Sequence, residues 1–209
     1  MIHLLGKVPD SVTIACSGGP DSMAALHFLN NGKRKVKVAY FDHGTTHGED
    51  AEQFVEGYCD EHNIPYVCGR IAGMRESRQS QEEFWRNSRY EFFTELVGPI
   101  ITAHHLDDVA EWWLFSSLRG NSRLIPYRNG DVIRPFLSTT KDDLLRWLEK
   151  NNVPFISDPS NNDTKYMRNH IRHNIMHHAF TVNPGLHSVL KTKIIHDFRQ
   201  NEENNGKTE

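Results

Sequence analysis

The chain has 209 residues, enough for one medium domain that buries roughly 70% of its unfolded surface without disulfides or metals. With 37% hydrophobic and 24% charged residues and a net charge of −3, it is an ordinary soluble chain, neither a polyanion binder throughout nor disordered. No apolar stretch reaches the ~18 residues of a membrane helix, no secretion signal opens the chain, and three cysteines without a Cys-x-x-Cys pair disfavour a disulfide framework or zinc ribbon, so a reducing, cytoplasmic setting is expected.

Residues 12–16 are a β-branched apolar run ending in a glycine-rich turn, which predicts a buried strand. A helix follows to residue 29, capped by Ser22 and stopped at Asn31-Gly32. Residues 36–41 and 64–67 predict two more strands, separated by a helix over 49–62. Ser80 and Glu83 form a capping-box pattern ahead of a long helix that carries Phe84, Trp85, Phe92, Phe93 and Leu96. Residues 100–103 predict a fourth strand and 106–118 the helix after it. Four strand–helix alternations predict an α/β fold, a parallel sheet with helices on both faces. Residues 120–135 break that rhythm as a loop or hairpin. A helix over 141–150, a turn at Asp158-Pro159-Ser160-Asn161 and helices near 164–179 and 185–198 complete the reading. The expected organisation is a nucleotide-binding core over 1–135, a helical extension completing the catalytic domain over 136–200, and a frayed tail over 201–209.

Ser17-Gly18-Gly19-Pro20-Asp21-Ser22 is the sharpest feature. Glycines let the backbone approach a ligand, successive amides form an anion nest, and the following helix aims its positive end at the same point. Asp21 would repel a phosphate unless a cation intervenes, and Mg²⁺ held by Asp21 resolves the conflict. The alternative is a strand–helix turn whose glycines serve geometry alone. His104, Asp108 and Glu111 recur at i, i+4, i+7 on one helix face, with Leu106, Ala110, Trp113, Leu114 and Leu118 on the other. Their alternative is an acid-rich helix N-terminus. Arg168 and Arg172, at i, i+4, suit phosphates, or else pair with nearby acids. From Lys165 to Arg199, six Lys or Arg face one acid, either a local anion-binding surface or a solvated face balancing the acidic stretch 49–61. The histidines at 170, 173, 177 and 178 scatter around their helix and read as solvated.

The loop resembles that of the PP-loop ATP pyrophosphatases, which cleave ATP between its α and β phosphates, and it lacks the Gly-Lys-[Ser/Thr] ending of a Walker loop. Further blocks resemble the tRNA(Ile)-lysidine synthetase family in order. They are Trp85-Arg86-Asn87-Ser88-Arg89-Tyr90, Ala103-His104-His105-Leu106-Asp107-Asp108-Val109-Ala110-Glu111, Arg134-Pro135-Phe136, Asp158-Pro159-Ser160-Asn161 and Arg168-Asn169-His170-Ile171-Arg172. The resemblance covers about residues 11–175 and implies ATP and Mg²⁺ as cofactors. Its substrates are free lysine and an isoleucine tRNA with a CAU anticodon, whose wobble cytidine is adenylated and then joined to lysine.

The resemblance places Ser17, Gly18, Gly19, Pro20, Asp21, Ser22, His43 and Gly44 around the nucleotide. It also puts Arg86 on the phosphates, His104 on cytidine or phosphate, Asp108 and Glu111 at the lysine amine as grip or base, and Arg168 and Arg172 on ATP or tRNA phosphates. Three departures stand out. Trp112 replaces a threonine, residues 121–126 replace a glycine-rich stretch, and no C-terminal tRNA-binding domain is expected. Oligomeric state is open, a dimer included. The rivals are another nucleophile such as ammonia or sulfur, a metal-dependent phosphohydrolase using His104, His105, Asp107 and Asp108, and a non-catalytic nucleotide- or RNA-binding module.

Overall fold

A computed structural model describes residues 1–157 and 167–205. The expected turn at Asp158-Pro159-Ser160-Asn161 and the start of the helix expected near 164 lie outside them. The sheet has six strands: β1 (Ser11–Ala15), β2 (Lys35–Asp42), β3 (Tyr66–Arg70), β4 (Ile100–Ile101), β5 (Arg128–Asn129) and β6 (Val132–Ile133). Their spatial order is β3-β2-β1-β4-β6-β5. Every neighbouring pair is parallel except β5–β6, the antiparallel edge hairpin inside the stretch expected to be loop or hairpin.

Side-chain alternation assigns the two faces. Val12, Ile14, Val38, Tyr40, Ile101 and Ile133 enter one core with Met23, Leu26 and Leu29 of α1 (Pro20–Asn31), Val55 and Cys59 of α2 (Gly48–Glu61), and Leu144 and Leu148 of α5 (Lys141–Asn151). Ile100 and Val132 point the other way, onto Phe93 of α3 (Gln81–Thr94). Helices thus cover both faces, as the alternation predicts. Leu106, Val109 and Ala110 of α4 (Leu106–Leu118) join a further cluster with Leu186, Leu190 and Ile194 of α8 (Leu186–Asn205).

Several boundaries differ from the sequence expectations for local reasons. Helix α1 begins two residues before Ser22, because Pro20 has no N–H to satisfy and its fixed φ suits the first helical position, with Gly19 as the cap. Ser22 is therefore inside the first turn and not the cap. Helix α8 continues through Asn205, into the stretch expected to be frayed. Leu118, expected on the packed side of α4, is 67% exposed at the last residue of the helix. Between α6 (Met167–His170) and α7 (Met176–Val182) the chain forms a π-helical stretch, Ile171–Ile175, a local widening common at functional sites.

Candidate active site

Parallel strands leave a crevice at their carboxyl ends where the chain turns into helices. Here it is a cleft of about 900 Å³ lined by the loop after β1, the loop after β2, α3, the N-terminus of α4, the first residue of α5, and α6 with the π-helical stretch.

The loop after β1 is held shut by Ser22, whose Oγ accepts the Ser17 N–H at 3.2 Å and donates to the Gly19 carbonyl at 2.9 Å. Ser17, Gly19, Pro20, Asp21 and Ser22 line the cleft. Gly18 serves differently. Its φ of +78° is left-handed, and a Cβ there would meet Ile156 Cδ1 at 3.0 Å and Phe54 Cδ1 at 3.2 Å. Gly18→Ala is expected to lower stability by about 1–3 kcal/mol through backbone strain, read as a drop in urea midpoint at unchanged m-value.

Asp21 lies at the centre. Its Oδ2 is 3.5 Å from His105 Nε2 and 3.9 Å from Lys141 Nζ, while its Oδ1 is buried without a hydrogen-bond partner among the described residues. His105 is buried and caps α4. Its Nδ1 accepts the Asp108 N–H at 3.4 Å, and its own N–H donates to Asp108 Oδ2 at 2.9 Å. Burial opposes a charge on His105, but Asp108, Asp21 and Asp107 outweigh it and raise its pKa. The neighbouring Asp107 accepts the Lys141 N–H at 2.7 Å, fixing the start of α5, and sits 3.1 Å from His187 Nε2 of α8.

Asp108 and Glu111 do not stand free. Arg168 donates to Asp108 Oδ1 at 2.6 Å and to Glu111 Oε2 at 3.2 Å. Arg172 donates to Glu111 Oε1 at 2.6 Å and Oε2 at 3.0 Å, and to Asp108 Oδ1 at 3.4 Å. The alternative of arginines paired with nearby acids is the arrangement seen, and the acids are the very ones expected to grip an amine. Burial alone would raise the Asp108 carboxyl, but the His105 and Arg168 charges hold it below the usual carboxylate range. Such a group stays ionised, a form that suits the expected grip on an amine more than the expected role of base. Glu111, expected beside Asp108 at the lysine amine, is 4% exposed and bonded to both arginines.

Arg86 was expected on the phosphates. It is exposed on α3, its Cζ 5.7 Å from the Tyr90 ring, and does not line the cleft. Arg89, three residues on in the same block, does. Burial lowers its pKa, and nearby Arg168, Arg86 and Arg134 add repulsion that Tyr90 only partly offsets. Its Nε is buried without a hydrogen-bond partner among the described residues. The signal that identifies Arg89 is its phase, since Trp85, Arg89 and Phe92 share one face of α3. Lys141 carried no expectation, and His105 was expected only as a helix cap or, in the phosphohydrolase alternative, a metal ligand; the proximity of both to Asp21 comes from the packing of α5 and α4. Arg134 is structural, donating to the Pro126 carbonyl at 2.8 Å and the Tyr90 hydroxyl at 2.9 Å.

On the other side of the cleft, Gly44 (φ +70°) donates its N–H to Asp42 Oδ1 at 2.8 Å, turning the chain so that His43 faces inward between Phe41 and Trp85. His43 Nδ1 is buried without a hydrogen-bond partner among the described residues. His104 also lines the cleft, 2.8 Å from Thr102 Oγ1 through Nδ1. Burial pulls His43 to about 4 and His104 to about 3. The unfolded chain protonates these rings near 6.5 and the folded one does not, so the unfolded state takes up more protons as pH falls from 6.5 toward 4. Thermal scans are expected to show Tm falling over that window, with Asp108 adding a further loss at lower pH as its carboxylate protonates. A flat Tm would contradict neutral burial of both rings.

The expected metal set of the phosphohydrolase alternative does not assemble. His104 goes to Thr102, Asp107 to Lys141 and His187, and Asp108 to the arginines, and no group of three or more His, Cys, Asp or Glu is placed to hold a metal among the described residues. Among the described residues, the unpartnered Asp21 Oδ1 is compatible with Mg²⁺, an ion that takes one or two carboxylates and completes its shell with waters and phosphates.

The same cleft-forming segments, residues 3–179, match the family model of the PP-loop domain. This chain belongs to the PP-loop family. It is 35% identical over 191 residues to a tRNA(Ile)-lysidine synthase of Bacillus licheniformis, covering 80% of this chain and 40% of that one. It is 33% identical over 198 residues to the tRNA(Ile)-lysidine synthase of Thermotoga maritima, covering 87% and 48%. It is 31% identical over 210 residues to a bifunctional protein TilS/HprT of Listeria innocua, covering 90% and 32%. The chain thus spans a third to a half of the length of these relatives. Among solved structures, the U34-tRNA thiolase NcsA of Methanococcus maripaludis shares the fold, with a TM-score of 0.68 at 16% identity over 92% of this chain and 72% of that one. No helix among the described residues is long and apolar enough to cross a membrane.

Proposed function

We propose that this PP-loop protein binds ATP, breaks it between the α and β phosphates by transferring the adenylyl group to the carbonyl of a tRNA wobble cytidine, and joins lysine to that carbon with release of AMP. The observation that carries nucleotide binding is the convergence on one cleft of buried polar atoms left without a hydrogen-bond partner among the described residues. These are Asp21 Oδ1, His43 Nδ1 and Arg89 Nε. A carboxylate, a neutral imidazole and a guanidinium match, in turn, a hard cation, a nucleoside edge and a phosphate. The lysidine-forming chemistry is supported by the relatives named tRNA(Ile)-lysidine synthase and by the ordered blocks of this chain that resemble that family.

In this reading the loop amides and the N-terminus of α1 take the phosphates, and His43 and Gly44 flank the nucleoside. Arg89 takes the place expected for Arg86, stabilising charge that gathers on the α-phosphate and leaving pyrophosphate. Mg²⁺, held by Asp21, would supply neutralisation of the phosphate oxygens. Lys141 stands at the first position of α5, where a cation is opposed by the helix dipole, yet its ammonium reaches Asp21. Its role is to pair with the pyrophosphate portion. Lys141→Met is expected to weaken ATP binding about ten- to a hundredfold, the scale of one charged hydrogen bond, and to leave AMP binding unchanged by titration calorimetry.

Asp108 lines the cleft as a permanent carboxylate and receives the lysine ammonium by exchange with one arm of Arg168, which is 48% exposed. Glu111 positions both arginines. The lysine amine, with a pKa of about 10.4 in water, sheds its proton to solvent or to the departing phosphate group before attack. Mass spectrometry of nucleosides from treated isoleucine tRNA tests the proposal. Lysine bonded to cytidine is the expected product, and a thiolated or aminated base would name a different nucleophile.

A further inference from the structure

We infer that the outer face of α4 and the segment after it form a docking stripe for the single-stranded part of the RNA substrate. The inference rests on the RNA-ligase reading above and adds a surface outside the cleft. Asp108, Trp112, Phe115 and Arg119 recur at i, i+4, i+7, i+11, so one stripe leads from the cleft to the end of the helix. At 1.5 Å per residue it runs about 6 Å to Trp112 and about 16 Å to Arg119, the span of a few bases at the ~3.4 Å rise of one strand.

Trp112 is 38% exposed, an uncommon position for the largest aromatic, and Leu118 beside the stripe is 67% exposed. The Trp112 and Phe115 rings lie 5.6 Å apart, and the Arg119 guanidinium sits 4.3 Å over the Phe115 ring. Phe115 packs against the cluster of α4 and α8 and under the Arg119 cation, while Trp112 offers the exposed ring; such a ring beside a cation suits an unstacked base and its phosphate. Charge agrees with that occupant. From Trp112 to Gly130 the chain carries Arg119, Arg123 and Arg128 and no acid, although the whole chain is net negative. The Arg123 backbone is tied to α4, its N–H donating to Ser116 Oγ at 2.9 Å, so that its exposed side chain starts beside the stripe.

The test is fluorescence anisotropy with a labelled anticodon stem-loop carrying CAU and, as a control, a duplex RNA of equal length. Trp112→Ala is expected to raise the stem-loop Kd about tenfold, and Trp112→Phe to stay within about threefold, since a smaller ring still stacks. Arg119→Gln is expected to raise Kd and to reduce the slope of log Kd against log salt by about 0.7. Binding of ATP stays at the wild-type value in all three, because neither side chain lines the cleft. Wild-type Kd values for Trp112→Ala and Arg119→Gln, with the parent binding the stem-loop, would overturn the stripe and leave the ligase reading intact. A parent that binds ATP but no RNA would overturn both. Loss of self-association in Trp112→Ala, measured by sedimentation, with RNA binding unaltered would make the stripe a contact between copies and overturn it as an RNA surface.

Discussion

Asp21→Ala is expected to reduce ATP–pyrophosphate exchange in the presence of isoleucine tRNA by about 10²–10³-fold, the scale of losing one preorganised group at a developing charge. The expectation follows from what Asp21 touches. Its Oδ2 is shared by His105 and Lys141, and its Oδ1 is buried with no hydrogen-bond partner among the described residues. A buried acceptor left unsatisfied costs stability, and such groups in folded proteins take an ordered water or an ion or serve a redox or catalytic use. Removing Asp21 deletes that unsatisfied atom, so stability is expected to hold or rise while exchange collapses. Asp21→Asn separates charge from shape, because an amide keeps the volume and loses the negative charge that favours Mg²⁺. Exchange at the wild-type rate in both variants would remove Asp21 from the mechanism.

The second large effect is on stability. Arg172→Met strips Glu111 of its closest partner and leaves a carboxylate that is 4% exposed with, among the described residues, Arg168 Nε at 3.2 Å as its remaining side-chain partner. Breaking a buried pair on one side costs about 3–5 kcal/mol, because the remaining charge has lost its solvent and its partner. For a chain of this size each kcal/mol moves Tm by about 2–4 °C, so a fall of roughly 6–20 °C is expected in calorimetry. The double variant Arg172→Met with Glu111→Leu is expected to recover most of that loss, since it removes the stranded charge. It is not expected to recover catalysis, because the arginine is then absent from the cleft. A single variant as stable as the parent would contradict the buried cluster.

The fold and the phosphate loop were legible in the sequence because both rest on local rules. Short β-branched runs alternated with amphipathic helices, and Ser17 to Ser22 brought glycines, hydroxyls and a helix start into six consecutive residues. Helix α4 began and ended where its periodicity indicated. What the sequence did not give up depended on contacts between distant elements. Spacing placed Asp108 and Glu111 on one helix and Arg168 and Arg172 on another, but only their packing reveals that four charges satisfy one another across 57 to 64 residues. Arg86 and Arg89 occur in one short block, and the twist of α3 against the sheet decides which faces the cleft. Lys141 carries no motif at all. Its ammonium reaches Asp21 because the Asp107 carboxylate holds the first N–H of α5.

The central claim is the bond at which ATP breaks. Incubating the protein with α-labelled ATP, Mg²⁺, lysine and isoleucine tRNA, then separating the products by chromatography, tests it directly. The account predicts labelled AMP and free pyrophosphate, formed only when the tRNA is present. Labelled ADP with orthophosphate would contradict it.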